Sequence, residues 1–102
     1  MEKNKMSAPF DYFNYRSNSL HAEKVPLDKI AEIVGTPVYV YSNEAFLAPL
    51  RELQRNLKSV DHLICFAVKA NSNISLLKLL GEAGAGMDLV SGGELYRTQL
   101  AG

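Results

Sequence analysis

Six consecutive apolar residues, Leu63, Ile64, Cys65, Phe66, Ala67 and Val68, do most to limit what this chain can fold into. A strand with one wet face alternates apolar and polar side chains. A strand that is apolar throughout suits a parallel sheet covered on both faces. The flanking segments agree. Val38-Tyr-Val-Tyr41 is β-branched and aromatic and predicts a first strand. The helix after it has the apolar stripe Phe46, Leu50, Leu53 and Leu57, with Ser42 or Asn43 as its cap. Pro49 lies inside that stripe, where it removes a donor and clashes one turn back, so the helix is expected to start late or to kink. After the six-residue run comes a helix with Ile74, Leu76, Leu77, Leu80 and Ala83, stopped by Gly84. A short third strand over 87–90 leads into Ser91-Gly-Gly-Glu94, the pattern of a capping box. Three strand-then-helix units predict an α/β fold with a parallel sheet, doubly wound or closed as a barrel.

Residues 1–24 are polar with interleaved aromatics (Phe10, Tyr12, Phe13, Tyr15), and a hairpin around Ser17-Asn18-Ser19 is expected there. Leu27, Ile30, Ala31 and Val34 then mark one face of a short helix, with Pro26 at its start, Gly35 after its end and Pro37 beyond. The stretch from Glu94 to Gly102 reads as a helix that has just finished, with no closing strand. The expectation is a truncated sequence.

The length of 102 residues is that of one domain, and eleven basic residues balance eleven acidic ones. That balance leaves no electrostatic footprint for nucleic acid or an anionic membrane. The apolar runs are far too short to span a bilayer, and residues 1–6 lack the apolar stretch of a secretory signal. A lone cysteine, Cys65, forms no internal disulfide, which fits a reducing, cytoplasmic compartment. It reads as a small core residue. His21 and His62 lie far apart, in no metal-ligand spacing, and read as surface or structural groups.

The chemistry concentrates at the end of the second strand. By the pleat, Lys69 shares a side with Ala67, Cys65 and Leu63, while Val68, Phe66 and Ile64 take the other. A lysine at the C-terminal end of a barrel strand stands where such enzymes place catalytic groups. Desolvation there would leave a nucleophilic amine suited to Schiff-base formation, and Ala67 would leave room for a flat ring. On position alone, a lysine just past a strand is more often a solvated charge. Asp88, between Met87 and Leu89, is costly to bury unpaired and calls for a cationic partner, or else stays wet at a turn. The Ser91-Gly92-Gly93 start of the last helix could hold an anion, but a tight turn that needs glycine is the preferred reading.

Phe66-Ala-Val-Lys-Ala-Asn71, with Gly86-Met-Asp-Leu-Val-Ser-Gly-Gly-Glu-Leu95, resembles the start of the alanine-racemase-like (fold-type III) pyridoxal-phosphate decarboxylases. In that family a cofactor-binding barrel is joined to a β-domain. Phe13-Asn-Tyr-Arg16, Leu20-His-Ala-Glu23, Gly35-Thr-Pro-Val-Tyr-Val-Tyr-Ser42 and the Val-Ser-Gly-Gly-Glu-Leu form of the third unit resemble most closely the branch acting on meso-2,6-diaminopimelate. The resemblance implies a partial (β/α)8 TIM barrel of about three units over residues 26–102. Residues 1–25 would contribute to the β-domain.

It also implies that Lys69 forms the covalent imine with pyridoxal 5'-phosphate, that Ala67 lines its ring and that Asp88 lies beside the Schiff base. The reaction implied is decarboxylation of an amino-acid substrate to L-lysine by a cytoplasmic homodimer, with no nucleic-acid or membrane partner. The family's stacking histidine, phosphate-binding glycines, acid at the pyridine nitrogen and substrate-binding residues all fall later than Gly102. A complete barrel needs about 250 residues, so this chain is expected neither to fold stably alone nor to turn over substrate. Three alternatives stay open: a sister decarboxylase of ornithine, arginine or carboxynorspermidine, a non-catalytic barrel homologue that binds or regulates, and a cofactor carrier without the β-domain. The first twenty-odd residues oppose the carrier.

Overall fold

The structure, a computed structural model, describes residues 11–102; Phe10 and the charged stretch 1–6 lie outside it. The chain divides into two compact units, with the boundary between Ala45 and Phe46.

The first unit holds a three-stranded antiparallel sheet in the order β1 (Phe13–Arg16), β2 (Ser19–Ala22), β3 (Val25–Pro26). Phe13 faces Ala22 and Arg16 faces Ser19 across the first hairpin. Its two-residue turn puts both Ser17 (φ 51°) and Asn18 (φ 66°) in the left-handed region, the backbone that matches the twist of the flanking strands. The expected hairpin is therefore present. Helix α1 (Leu27–Val34) follows Pro26 directly and ends at Gly35, whose φ of 83° lets its N–H reach Ala31 O.

The predicted strand over 38–41 does not form. The segment pairs with nothing in either sheet, and Tyr39 and Tyr41 stack on each other with ring centroids 6.4 Å apart. β-propensity there meets no partner strand, and a strand exists only by pairing.

Helix α2 (Asn43–Asn56) starts on time and continues past Pro49 without a break in the helix. Ser42 is its cap: the hydroxyl accepts from Ala45 N–H at 3.1 Å and donates to Glu23 Oε2 at 2.6 Å. The late start allowed for on account of Pro49 is excluded.

The second unit is built on a β–α–β arrangement. Strand β4 (Cys65–Ala67) and strand β5 (Gly86–Asp88) pair in parallel, with α3 (Ile74–Glu82) between them in sequence. Both strands are shorter than the apolar runs predict, because a two-stranded sheet gives the ends of those runs no ladder. Asn73 caps α3, accepting from Ser75 and Leu76 N–H. At the other end Gly84 (φ 97°) closes a Schellman motif, with Ala85 N–H to Leu80 O and Gly84 N–H to Gly81 O, both 3.0 Å. Gln54 adds a donor to Ala83 O at 2.9 Å. Helix α4 (Gly92–Ala101) ends the chain.

The core gathers Leu47, Leu50 and Leu80, with Phe46, Ile64, Phe66 and Met87 packed against them. Phe46 and Phe66 meet edge to face at 6.2 Å. One face of the β4–β5 pair thus carries Phe66 and Met87 into this core. The opposite face carries Cys65, Ala67, Gly86 and Asp88.

Candidate active site

Parallel register puts Ala67 directly beside Asp88 and Cys65 beside Gly86. Among the described residues the face they share is partly open, with Cys65 and Asp88 exposed and Ala67 and Gly86 half-buried, and this corrects two expectations. Cys65 is exposed rather than in the core, and Leu63 is 69% exposed. The six-residue run predicts cover on both faces, but among the described residues it is the Phe66 side that packs against the helical core. Gly86 fits the tight pairing: a Cβ there would stand 2.9 Å from Cys65 Sγ.

Lys69 lies just past β4, in a 3-10 turn (Val68–Ala70) closed by Asn71 N–H to Val68 O at 3.0 Å. Val68 is fully buried and anchors the turn, whereas Lys69 is exposed. The expected desolvation of its amine is absent. Asp88 is exposed too, and the two form no ion pair among the described residues. What joins them is position. Both stand at the C-terminal ends of adjacent parallel strands, with Ala67 in register with one and two residues before the other.

Lys69 opens onto a cleft of about 570 Å³ whose far wall is α4 with its cap, Ser91, and includes Gly93 and Arg97. Ser91 accepts from Glu94 N–H at 3.1 Å, and the Glu94 carboxylate reaches back to Val90 N–H at 2.9 Å. The predicted capping box is present, with its return bond one residue further back than Ser91 N–H. The steric account of the glycines is not supported. Neither Gly92 nor Gly93 has positive φ, and a Cβ would meet nothing nearer than 3.9 Å.

Arg97, Tyr96 and Ser72 also line the cleft, and sequence reasoning did not single them out. The spacing Gly93, Arg97, Leu100 places one helix face toward Lys69 and was the available signal. His21 and His62 each donate through Nδ1 to a carbonyl two residues back, Ser19 O and Val60 O, as structural histidines do.

The arrangement suits an aldehyde cofactor. It offers a reachable primary amine, a carboxylate on the neighbouring strand able to face a cationic nitrogen, and an alanine in register with that carboxylate to admit a flat ring.

Comparison with known proteins bears on the family of the chain. Residues 44–102 match the family model described as "Pyridoxal-dependent decarboxylase, pyridoxal binding domain". The chain is 53% identical over 92 residues to diaminopimelate decarboxylase of Pseudomonas fluorescens and 52% identical over 91 residues to that of Aquifex aeolicus. The matches cover 90% and 89% of this chain but 22% and 21% of those proteins. The chain therefore spans about a fifth of the length of the curated relatives it matches. Among solved structures, diaminopimelate decarboxylase of M. jannaschii in complex with L-lysine superposes with a TM-score of 0.80 at 31% identity, over 90% of this chain and 23% of that one. A crystallised Aquifex aeolicus protein gives the same TM-score at 48% identity, over 88% and 22%. On the family match and the likeness of sequence and fold together, this α/β chain belongs to the pyridoxal-dependent decarboxylase family.

Proposed function

We propose that this chain is part of a pyridoxal-phosphate-dependent decarboxylase that converts meso-2,6-diaminopimelate to L-lysine, the last step of lysine biosynthesis. The observation that carries the reading is an exposed lysine amine at the C-terminal end of a parallel strand, opening onto a cleft, with a carboxylate on the adjacent strand end. In this reading residues 26–102 form about the first three units of a (β/α)8 TIM barrel and residues 1–25 belong to a β-domain. The enzyme is a cytoplasmic homodimer.

Lys69 would hold the cofactor through its amine, and once free of that linkage its ammonium form could supply the proton that takes the place of the departing carboxylate. Asp88 would face the cationic nitrogen of the covalent linkage at Lys69 and favour its protonated form. Ala67 keeps the wall flat. Bound pyridoxal phosphate supplies the electron sink that makes loss of carbon dioxide feasible. The duties left to the residues are covalent attachment, proton supply, orientation and charge.

The test uses the full-length protein. Borohydride reduction in the presence of pyridoxal phosphate, followed by peptide mapping, should label Lys69. Lys69→Ala should abolish the label and lower the rate of lysine release by roughly a thousandfold or more. A label on another residue refutes the assignment. Turnover of ornithine or arginine in preference to meso-diaminopimelate refutes the substrate.

A further inference from the structure

We infer that Asn71 is a positioning residue for Lys69, through a side-chain carbonyl that ties the lysine's turn to helix α3; the inference rests on the proposed role of Lys69. A residue within a strand inherits its side-chain direction from the pleat, but Lys69 lies beyond the ladder, in a three-residue turn. The direction of its long side chain depends on how firmly that turn is held.

Upstream the turn is fixed by Val68, which is fully buried. Downstream it relies on Asn71 twice. The Asn71 N–H closes the turn onto Val68 O at 3.0 Å, and Asn71 Oδ1 accepts from Asn73 N–H at 3.0 Å. Asn73 in turn caps α3 through Ser75 and Leu76 N–H, and α3 is held by buried Leu76, Leu77 and Leu80. Only the backbone of Asn71 is needed to close the turn. The second bond needs a short side chain with an acceptor, which asparagine and aspartate provide at this spacing and glutamine does not. Lys69 therefore departs from a turn clamped between a buried valine and a helix N-terminus.

An amine that must meet an aldehyde in one geometry is sensitive to such looseness: a misplacement of about 1 Å can cost on the order of a hundredfold. The experiment follows covalent capture of pyridoxal phosphate by the full-length apo-enzyme, read as imine absorbance and as borohydride-trapped Lys69 peptide against time. Asn71→Ala and Asn71→Gln should slow capture roughly tenfold to a hundredfold, while Asn71→Asp, which keeps the acceptor, should capture near the wild-type rate. Asn73→Ala is the control. It removes the α3 side-chain cap and lowers the melting temperature, but leaves the Asn73 N–H bond to Asn71 and should therefore slow capture clearly less than Asn71→Ala does.

Wild-type capture speed in Asn71→Ala overturns the inference, as does slowing in Asn73→Ala equal to that in Asn71→Ala. Should Asn71→Ala fail to fold, the comparison of Asn71→Gln with Asn71→Asp decides, and equal rates in those two overturn it. Trapping of the wild type at a lysine other than Lys69 is a different result, because it removes the parent reading.

Discussion

Glu23 sets one carboxylate oxygen where two donors converge, the Ser42 hydroxyl at 2.6 Å and the Glu44 N–H at 3.1 Å. Its own φ of 56°, in the turn between β2 and β3, aims it there. The Ser42 hydroxyl first and the Glu44 N–H second hold its pKa below the ordinary 4.5; burial opposes them, and the Asn43 backbone adds a still smaller lowering. A depressed carboxyl pKa stabilises the folded form above the unfolded value, and that stabilisation is lost as pH falls through the folded one. Hydrogen-exchange protection of the Glu44 amide should therefore decline on acidification below about pH 4.5. Glu23→Gln should lower that protection at neutral pH and flatten its pH dependence. Protection that stays constant through this range in the wild type would contradict the linkage. Residue chemistry was readable along the chain only where partners are close in sequence. Ser42 reads as one of two candidate caps beside Asn43, but its bond to Glu23, nineteen residues away, leaves no local mark. Likewise Lys69 and Asp88 were visible by type and motif, whereas their exposure is set by what covers the sheet.

Helices α1, α3 and α4 follow their sequence signals closely because caps and glycine stops act within a turn or two. Strands depart from theirs because each needs a partner. Residues 38–41 have strand composition and no ladder, and β4 keeps three residues of a six-residue run. Pairing also imposes a demand invisible in composition, the small residue at Gly86. A Cβ there would stand 2.9 Å from Cys65 Sγ and 3.3 Å from Leu63 Cδ2. Both neighbours are side chains that can turn aside, so Gly86→Ala in the full-length protein should cost little, about 1 kcal/mol or less. Gly86→Val brings two further methyl groups and should cost about 1–3 kcal/mol. Cys65→Ala removes the nearer obstacle, so the pair should couple: Gly86→Val should be less damaging in a Cys65→Ala background by about 0.5 kcal/mol or more. Chemical denaturation of the four proteins in that cycle measures the coupling. Strict additivity would mean that the clash does not limit the strand pair.

At the scale of the whole molecule the balance lies between the small core and the apolar surface left outside it. Leu77 and Val68 are fully buried, and Leu47, Leu50, Leu76 and Leu80 nearly so. Against these, Ile33 is 80% exposed, Tyr39 88%, Val90 66% and Leu100 57%. Burying one such side chain contributes about 1.5–3 kcal/mol, and a domain's whole net stability is about 5–15 kcal/mol. A handful of wet side chains of this size thus forgoes an amount comparable to everything that holds a fold together. The relatives it matches are between four and five times as long, with this chain covering 22% of the first of them, and so have the material to cover such surfaces. The isolated 102-residue chain should accordingly show a broad, shallow thermal transition by circular dichroism and no turnover of meso-diaminopimelate, while the full-length protein melts cooperatively. A sharp two-state melt of the isolated chain, with a denaturant slope fitting its length, would show that the present core suffices. The exposed apolar groups would then call for another explanation than absent cover.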